Sequence, residues 1–311
     1  MNIISFVIPV FNEEANIELI SKKIINIFTT NFSYDYELII IDNNSTDNTQ
    51  KILRKICEQN KKIKVILNRS NFGWSRSMFH ALKQSNANAV ILIAADFQDP
   101  PELIVEMIKN WEKGEKLVLG EKDGSDEKFF MSYLRKIYYK FLNKFSSQTV
   151  EKNIIGFGLY DQSLINLLKT IYDPNPFLRG IVKELGYKIK KIKYHQPIRK
   201  KGLTKFKLMD LIDVALSGMV RHSKLSIRIF TFFGFCMSLF SLIIGIYYLL
   251  RKLFFWETFD AGVAPLVIGF FLISSFLIFF MGLVSEYILT ILDFQKKIPN
   301  VVEKERINFE K

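Results

Sequence analysis

The sequence predicts an α/β protein: a mostly parallel sheet flanked by helices, followed by amphipathic helices and a hairpin of two long apolar helices. Three observations carry this. Short Ile- and Val-rich runs alternate with amphipathic stretches up to Gly120. A polar cluster follows each of the first four runs. Two uncharged runs, Ile229–Leu250 and Val263–Val284, come late in the chain, each about the ~20 residues that cover a bilayer as a helix.

Ile3–Val10 reads as a buried strand, and Glu14–Phe28 as a helix with Ile17, Ile20, Ile24, Ile27 and Phe28 on one face. Leu38–Ile41 is a second strand; Ser45 and Asp47 are candidate N-caps for a helix running through Cys57. Lys64–Leu67 is a third strand, with a helix over Arg76–Gln84. Ala89–Ile93 is a fourth; Asp99 suits the cap of the next helix and Pro101 its first turn. Leu117–Gly120 is a fifth. This alternation implies parallel strands with helices on both faces, and ligands then bind beyond the carboxyl ends of the strands. Met131–Ser146 reads as a basic, aromatic helix, Gln162–Ile171 as another, and Lys188–Tyr194 as a short strand. Met209–Lys224 is expected to lie as an amphipathic helix in a membrane interface.

The chain has 311 residues and a formal net charge of +12. Such an excess suits an anionic partner. The basic residues gather beside the apolar runs, away from any recognition motif, which argues against nucleic acid. Cys57 and Cys236 are the two cysteines, so no disulfide framework or zinc site is implied. The N-terminus lacks a basic segment with a cleavage site, so no signal peptide is expected. Arg199, Lys200, Lys201, Lys205, Lys207, Arg221, Lys224 and Arg228 precede the first apolar run, Lys296 and Lys297 follow the second, and the linking loop holds only Arg251 and Lys252. The positive-inside rule then places both termini in the cytoplasm. The expected organisation is a cytoplasmic domain over 1–204, an amphipathic juxtamembrane segment over 205–228, a two-span hairpin over 229–288 and a cytoplasmic tail over 289–311.

The clusters at the strand ends carry the chemistry. They are Asn12-Glu13-Glu14, Asp42-Asn43-Asn44-Ser45, Asn68 to Gly73, and Asp96-Phe97-Gln98-Asp99. No GxGxxG follows the first strand and no GxxxxGK[ST] occurs, which counts against a dinucleotide-dependent dehydrogenase and a Walker-type ATPase. Asp96 and Gln98 are two apart, so in an extended segment they point the same way. Two hard oxygen donors suit Mg²⁺ or Mn²⁺, which leave their other positions to water and substrate phosphates. The plainer reading of Asp99 and Pro101 as a helix start is compatible with this and leaves Asp96 unexplained. Trp74 reads as core.

FVIPVFNEE, IDNNSTDNT, NRSNFG and ADFQDPPE, in that order, resemble the catalytic domain of glycosyltransferase family 2, which has the Rossmann-like GT-A fold. GFGLYD, the basic RKKGLTKFK and a hairpin ending in GLVSEYI resemble its polyisoprenyl-phosphate branch. The resemblance implies a metal-dependent transferase, and inversion is expected from a single displacement, since no nucleophile pair is placed for two steps. It would move sugar from a nucleotide-sugar, such as UDP-glucose, to a polyisoprenyl phosphate for cell-surface glycan modification. Pro9, Phe11, Asn12, Glu13, Asp42, Asn44, Asn71 and Gly73 match the nucleotide-binding segments, and Asp96 and Gln98 the metal ligands, with Mg²⁺ or Mn²⁺ as cofactor. Asp96, Arg199 and Lys205 are the catalytic candidates, and Arg179, Lys200 and Lys201 candidates for the acceptor phosphate. A separate flippase downstream is expected, and a homo-oligomer is admitted.

The pattern is broken at three positions. Ala94 stands where the family usually has the first Asp of Asp-x-Asp, Asn43 where it often has a second Asp, and Gly156 where it commonly has an acid. A phosphate acceptor tolerates the last change, because it is already largely ionised at neutral pH, with a second pKa of about 6. An acceptor hydroxyl on a lipid-linked saccharide, or a membrane scaffold that has lost catalysis, stay open as rivals.

Overall fold

The computed structural model describes residues 2–125, 154–196 and 263–309, with isolated helical positions at Leu239, Ile243, Leu250 and Phe254. The described residues fall into two compact units, one holding 2–125, 154–196 and 297–309, the other 263–296.

The first unit is built on one eight-stranded sheet. Its strands are β1 (Ile3–Val10), β2 (Asp35–Asp42), β3 (Ile63–Asn68), β4 (Ala89–Leu92), β5 (Leu117–Ser125), β6 (Ile154–Asp161), β7 (Lys190–Gln196) and β8 (Glu303–Ile307), in the order β7-β5-β6-β4-β1-β2-β3-β8. β1 pairs in parallel with β2 and β4, and β2 with β3, as the strand–helix alternation predicts. The sheet as a whole is mixed, because β6 runs antiparallel to both β4 and β5 and β8 antiparallel to β3.

Neither antiparallel strand was marked by sequence pattern. β6 contains the GFGLYD stretch, whose glycines interrupt the apolar pattern of a strand. Gly158 is needed there for close approach: a Cβ would lie 2.3 Å from the Val118 carbonyl oxygen. β8 is the charged segment EKERI in the expected tail, and it closes the β3 edge.

The helices α1 (Ile17–Asn31), α2 (Thr49–Gln59) and α4 (Leu103–Glu112) cover one face, and α3 (Trp74–Gln84), α5 (Gln162–Thr170) and α6 (Leu178–Glu184) the other. Strand period 2 divides β1 between the two cores: Ile4, Phe6, Ile8 and Val10 face α1, while Val7 faces α3. Phe28 of α1 is fully buried, edge-on to Phe6 at 5.4 Å. Its loss would cost about 3–5 kcal/mol.

The second unit is the helix α7 (Val263–Lys296), 34 residues long, which carries the second apolar run. Judged on the described residues, no helix is long and apolar enough to cross a membrane. Only part of the α7 side chains belongs to that set. The first apolar run lies almost wholly outside the described residues. So do the expected helices over Met131–Ser146 and Met209–Lys224, and the basic residues Arg199, Lys200, Lys201 and Lys205.

Candidate active site

Because β1 to β4 are parallel, the loops after them leave one edge of the sheet. The first two are stitched together. Asn12 N donates to Ser45 Oγ at 2.8 Å, Thr46 N to Asn12 Oδ1 at 2.7 Å, Glu13 N to Thr49 Oγ1 at 2.9 Å and Asn48 N to Glu14 Oε2 at 2.9 Å. Asn12 and Asn44 take left-handed backbone, φ 54° and 61°, which asparagine tolerates well. Ser45 thus serves Asn12 and does not cap α2. Nor is Asp47 the N-cap: that place is taken by Asn48, whose side chain makes no cap, while Asp47 one residue earlier accepts from Thr49 N at 3.0 Å.

Pro9 lies one residue before the end of β1, opposite Ile41, and Phe11 is half-buried just beyond the strand. Asp42 is fully buried. It accepts from Ser45 N at 3.1 Å and Gln50 Nε2 at 2.7 Å. Burial pushes its carboxyl above the ordinary carboxylate value, with those two donors opposing.

Asn43 ties the second loop to the third. Its Oδ1 accepts from Phe72 N at 2.9 Å, Ser77 Oγ at 2.9 Å and Asn68 Nδ2 at 3.2 Å, and its Nδ2 donates to Asn71 Oδ1 at 2.6 Å. Asn71 and Gly73 are exposed. So is Trp74, at 44%. The core reading of Trp74 therefore fails: as the first residue of α3 it stands at the loop mouth before the helix turns inward at Ser77.

The fourth loop departs from the extended geometry expected of it. Phe97 has φ 60°, a strained value for a bulky residue, and Gln98 N donates to Asp96 Oδ1 at 3.1 Å. Asp96 and Gln98 therefore sit in one tight turn, not in an extended strand segment. Asp99 does not cap α4. It is buried, accepting from Ala94 N at 3.2 Å and from the Tyr194 hydroxyl at 3.2 Å. Burial pushes it up to about 6.

Among the described residues, no group of three or more His, Cys, Asp or Glu side chains could hold a metal ion by itself. Mg²⁺ and Mn²⁺ do not require one, since they bind through one or two oxygen donors plus substrate phosphates. Asp96 and Gln98, partly exposed in one turn, fit that mode. Arg179 is held on the other side of the sheet's centre: its Nη1 donates to the Ile154 carbonyl at 2.5 Å and its guanidinium stacks on Phe177. The site also uses Thr49, Gln50, Ser77 and Tyr194, which sequence reading passed over. The first three lie in the opening turns of the helices that follow the loops, the one positional hint available.

Gly156 has φ 104°, a conformation that strains any residue with a Cβ. An acid at this position would not fit the present backbone, so the departure from the family pattern matches the local geometry.

Chains of similar sequence match along nearly their whole length. A prophage bactoprenol glucosyl transferase homolog of Escherichia coli (strain K12) is 28% identical over 302 residues, covering 97% of this chain and 98% of the relative. The bactoprenol glucosyl transferase of Shigella phage SfV is also 28% identical, with the same coverage. An uncharacterized glycosyltransferase of Synechocystis sp. is 28% identical over 92% of this chain and 89% of its own. Among solved structures, a glucosyl-3-phosphoglycerate synthase from Mycobacterium tuberculosis in complex with Mn²⁺, UDP-glucose and phosphoglyceric acid aligns over 70% of this chain and 78% of its own, at 18% identity and TM-score 0.47. The family model for glycosyl transferase family 2 matches residues 5–168, more than half of the chain. With the four loops gathered at the carboxyl edge of its parallel strands, the chain belongs to glycosyl transferase family 2.

Proposed function

We propose that the chain transfers a sugar from a nucleotide-sugar, UDP-glucose being the first candidate, to the phosphate of a polyisoprenyl lipid such as undecaprenyl phosphate, with inversion. The observation that carries this is the meeting of the Asp42, Asn71–Gly73 and Asp96–Gln98 loops on one sheet edge. The end-to-end likeness to bactoprenol glucosyl transferases supports the lipid acceptor.

In this reading the lipid phosphate oxygen forms a bond to the anomeric carbon as that carbon's bond to the diphosphate breaks. The electron pair leaves with the nucleoside diphosphate. No general base is required, because the attacking phosphate is already ionised at neutral pH. Asp42 and the Asn71–Gly73 loop receive the nucleoside. Asp96 and Gln98 would hold Mg²⁺ or Mn²⁺, which supplies charge neutralisation at the diphosphate. Arg199, Lys200, Lys201 and Lys205 reduce repulsion between the two phosphorylated reactants, with Arg179 a further candidate. The runs Ile229–Leu250 and Val263–Val284 form a two-span hairpin, with segment 205–228 at the interface and the catalytic domain and both termini in the cytoplasm. The lipid-linked product then needs a separate flippase.

The test is a donor screen with purified protein in detergent, a polyisoprenyl phosphate and UDP- and GDP-sugars in turn. One donor should yield a lipid-linked sugar released by mild acid. Asp96→Ala should abolish transfer while leaving the unfolding transition in place, and full activity of that variant would sink the reading. An acid-stable product would move the acceptor to a saccharide hydroxyl.

A further inference from the structure

We propose that Asn43 is the positioning residue of the donor loop: it fixes the side-chain orientation of Asn71 and makes Asn71 Nδ2 the hydrogen-bond donor that the loop offers to a bound nucleotide. The claim about nucleotide rests on the function proposed above. The claim about loop geometry does not.

Amide orientation usually has to be inferred from partners, and here two backbone N–H groups decide it. Phe72 N must donate, so the atom it meets at 2.9 Å is Asn43 Oδ1. That leaves Asn43 Nδ2 directed at Asn71. Gly73 N must also donate, so the atom it meets at 3.0 Å is Asn71 Oδ1. The two assignments agree: Asn43 Nδ2 donates to the same Asn71 Oδ1 at 2.6 Å. Asn43 Oδ1 is further occupied by Ser77 Oγ and Asn68 Nδ2, and Asn43 itself is 5% exposed. Its amide therefore has no freedom to flip. Asn71 is exposed, and its Nδ2 has no partner among the described residues.

A carboxylate at position 43 cannot do this. It only accepts, so one of its oxygens would face Asn71 Oδ1 at hydrogen-bonding distance with no proton between them. Relief requires Asn71 to turn over, which strands Gly73 N and directs Oδ1 outward. The asparagine that departs from the family's usual second Asp is thus matched to an asparagine at 71, and the pair sets whether the loop presents a donor or an acceptor.

The experiment is a double-mutant cycle read by calorimetry with UDP plus Mn²⁺ and GDP plus Mn²⁺, together with hydrogen exchange at Phe72 and Gly73. Asn43→Asp should weaken nucleotide binding about tenfold, while in an Asn71→Ala background the same change should cost less than about twofold, as residues acting through one another require. Exchange at Gly73 should quicken in Asn43→Asp with β1 protection unchanged, which shows that the variant is folded. Wild-type affinity in Asn43→Asp, additive effects in the double variant, or unchanged exchange at Gly73 would overturn the proposal. If the unaltered protein binds neither nucleotide, the functional reading fails, and the exchange experiment alone still decides the loop geometry.

Discussion

Arg54 of α2 grips Glu305 of β8 through two parallel hydrogen bonds, Nη1 to Oε1 at 2.7 Å and Nη2 to Oε2 at 2.6 Å, across 251 residues of sequence. Around this fork the tail is tied down repeatedly. Arg69 N donates to the Val302 carbonyl at 2.9 Å, and Asn308 Nδ2 donates to the carbonyls of Cys57 and Ile63. His80 Nε2 lies 2.5 Å from Glu303 Oε1.

The fork itself should contribute little. Both side chains are about two-fifths exposed, so Glu305→Ala is expected to cost at most about 1 kcal/mol. Removing residues 301–309 also strips the ladder from β3 and uncovers a sheet edge. Urea denaturation should show that deletion to be several times more damaging, with aggregation of the truncated protein. Equal effects of the two changes would contradict this division.

Gly156→Asp restores the acid that the family commonly carries, yet it should not improve the enzyme. With φ at 104°, the aspartate is expected to destabilise by on the order of 1–3 kcal/mol. Chemical denaturation and a transfer assay check the two halves. A stable variant with raised activity would count against the strain argument.

Asp99 makes the fold less stable as pH rises through the weakly acidic range. Its folded value, about 6, lies above the ordinary 3.8. The folded chain therefore holds this proton more tightly than the unfolded chain between about pH 4 and 6. Stability falls as pH rises through that window, by on the order of 3 kcal/mol from this group. Asp99→Asn can still accept from Ala94 N and should flatten the fall. Urea midpoints at pH 4.5 and 7, in EDTA, test it; an unchanged slope would count against the assignment.

Burial pushes the Cys57 thiol up to about 11, so almost no thiolate is present at pH 8. Peptide mapping after iodoacetamide treatment should find Cys57 unmodified in the folded protein and fully modified in urea. Rapid labelling of the folded protein would show that the α2–β3 packing opens more readily than the structure implies.

The parallel half of the sheet was legible because buried strands must be written in Ile and Val, and β1 to β4 are. The antiparallel strands were not. In β6 Gly158, which allows close strand approach, and Gly156, which takes a positive φ, also erase the strand pattern, and in β8 alternating charges paired with Arg54, His80 and Arg306 read as a solvated tail. The gathering of polar loops at the strand ends could be read from spacing. Their wiring could not: nothing in the order of residues shows that Ser45 serves Asn12, that Asp99 turns inward to Tyr194, or that Phe97 adopts a left-handed backbone in a tight turn between Asp96 and Gln98.

The pairing of β8 with β3 also constrains topology. Strands of one sheet cannot be assembled on opposite sides of a lipid barrier, so the chain leaving Gln196 and the chain returning at Val301 must share a compartment. Any path between them that enters a bilayer must come back out on the side where it started. Two passages satisfy that parity and one does not, so a protease added to sealed vesicles should cut the N-terminal strands and the last ten residues together or spare both.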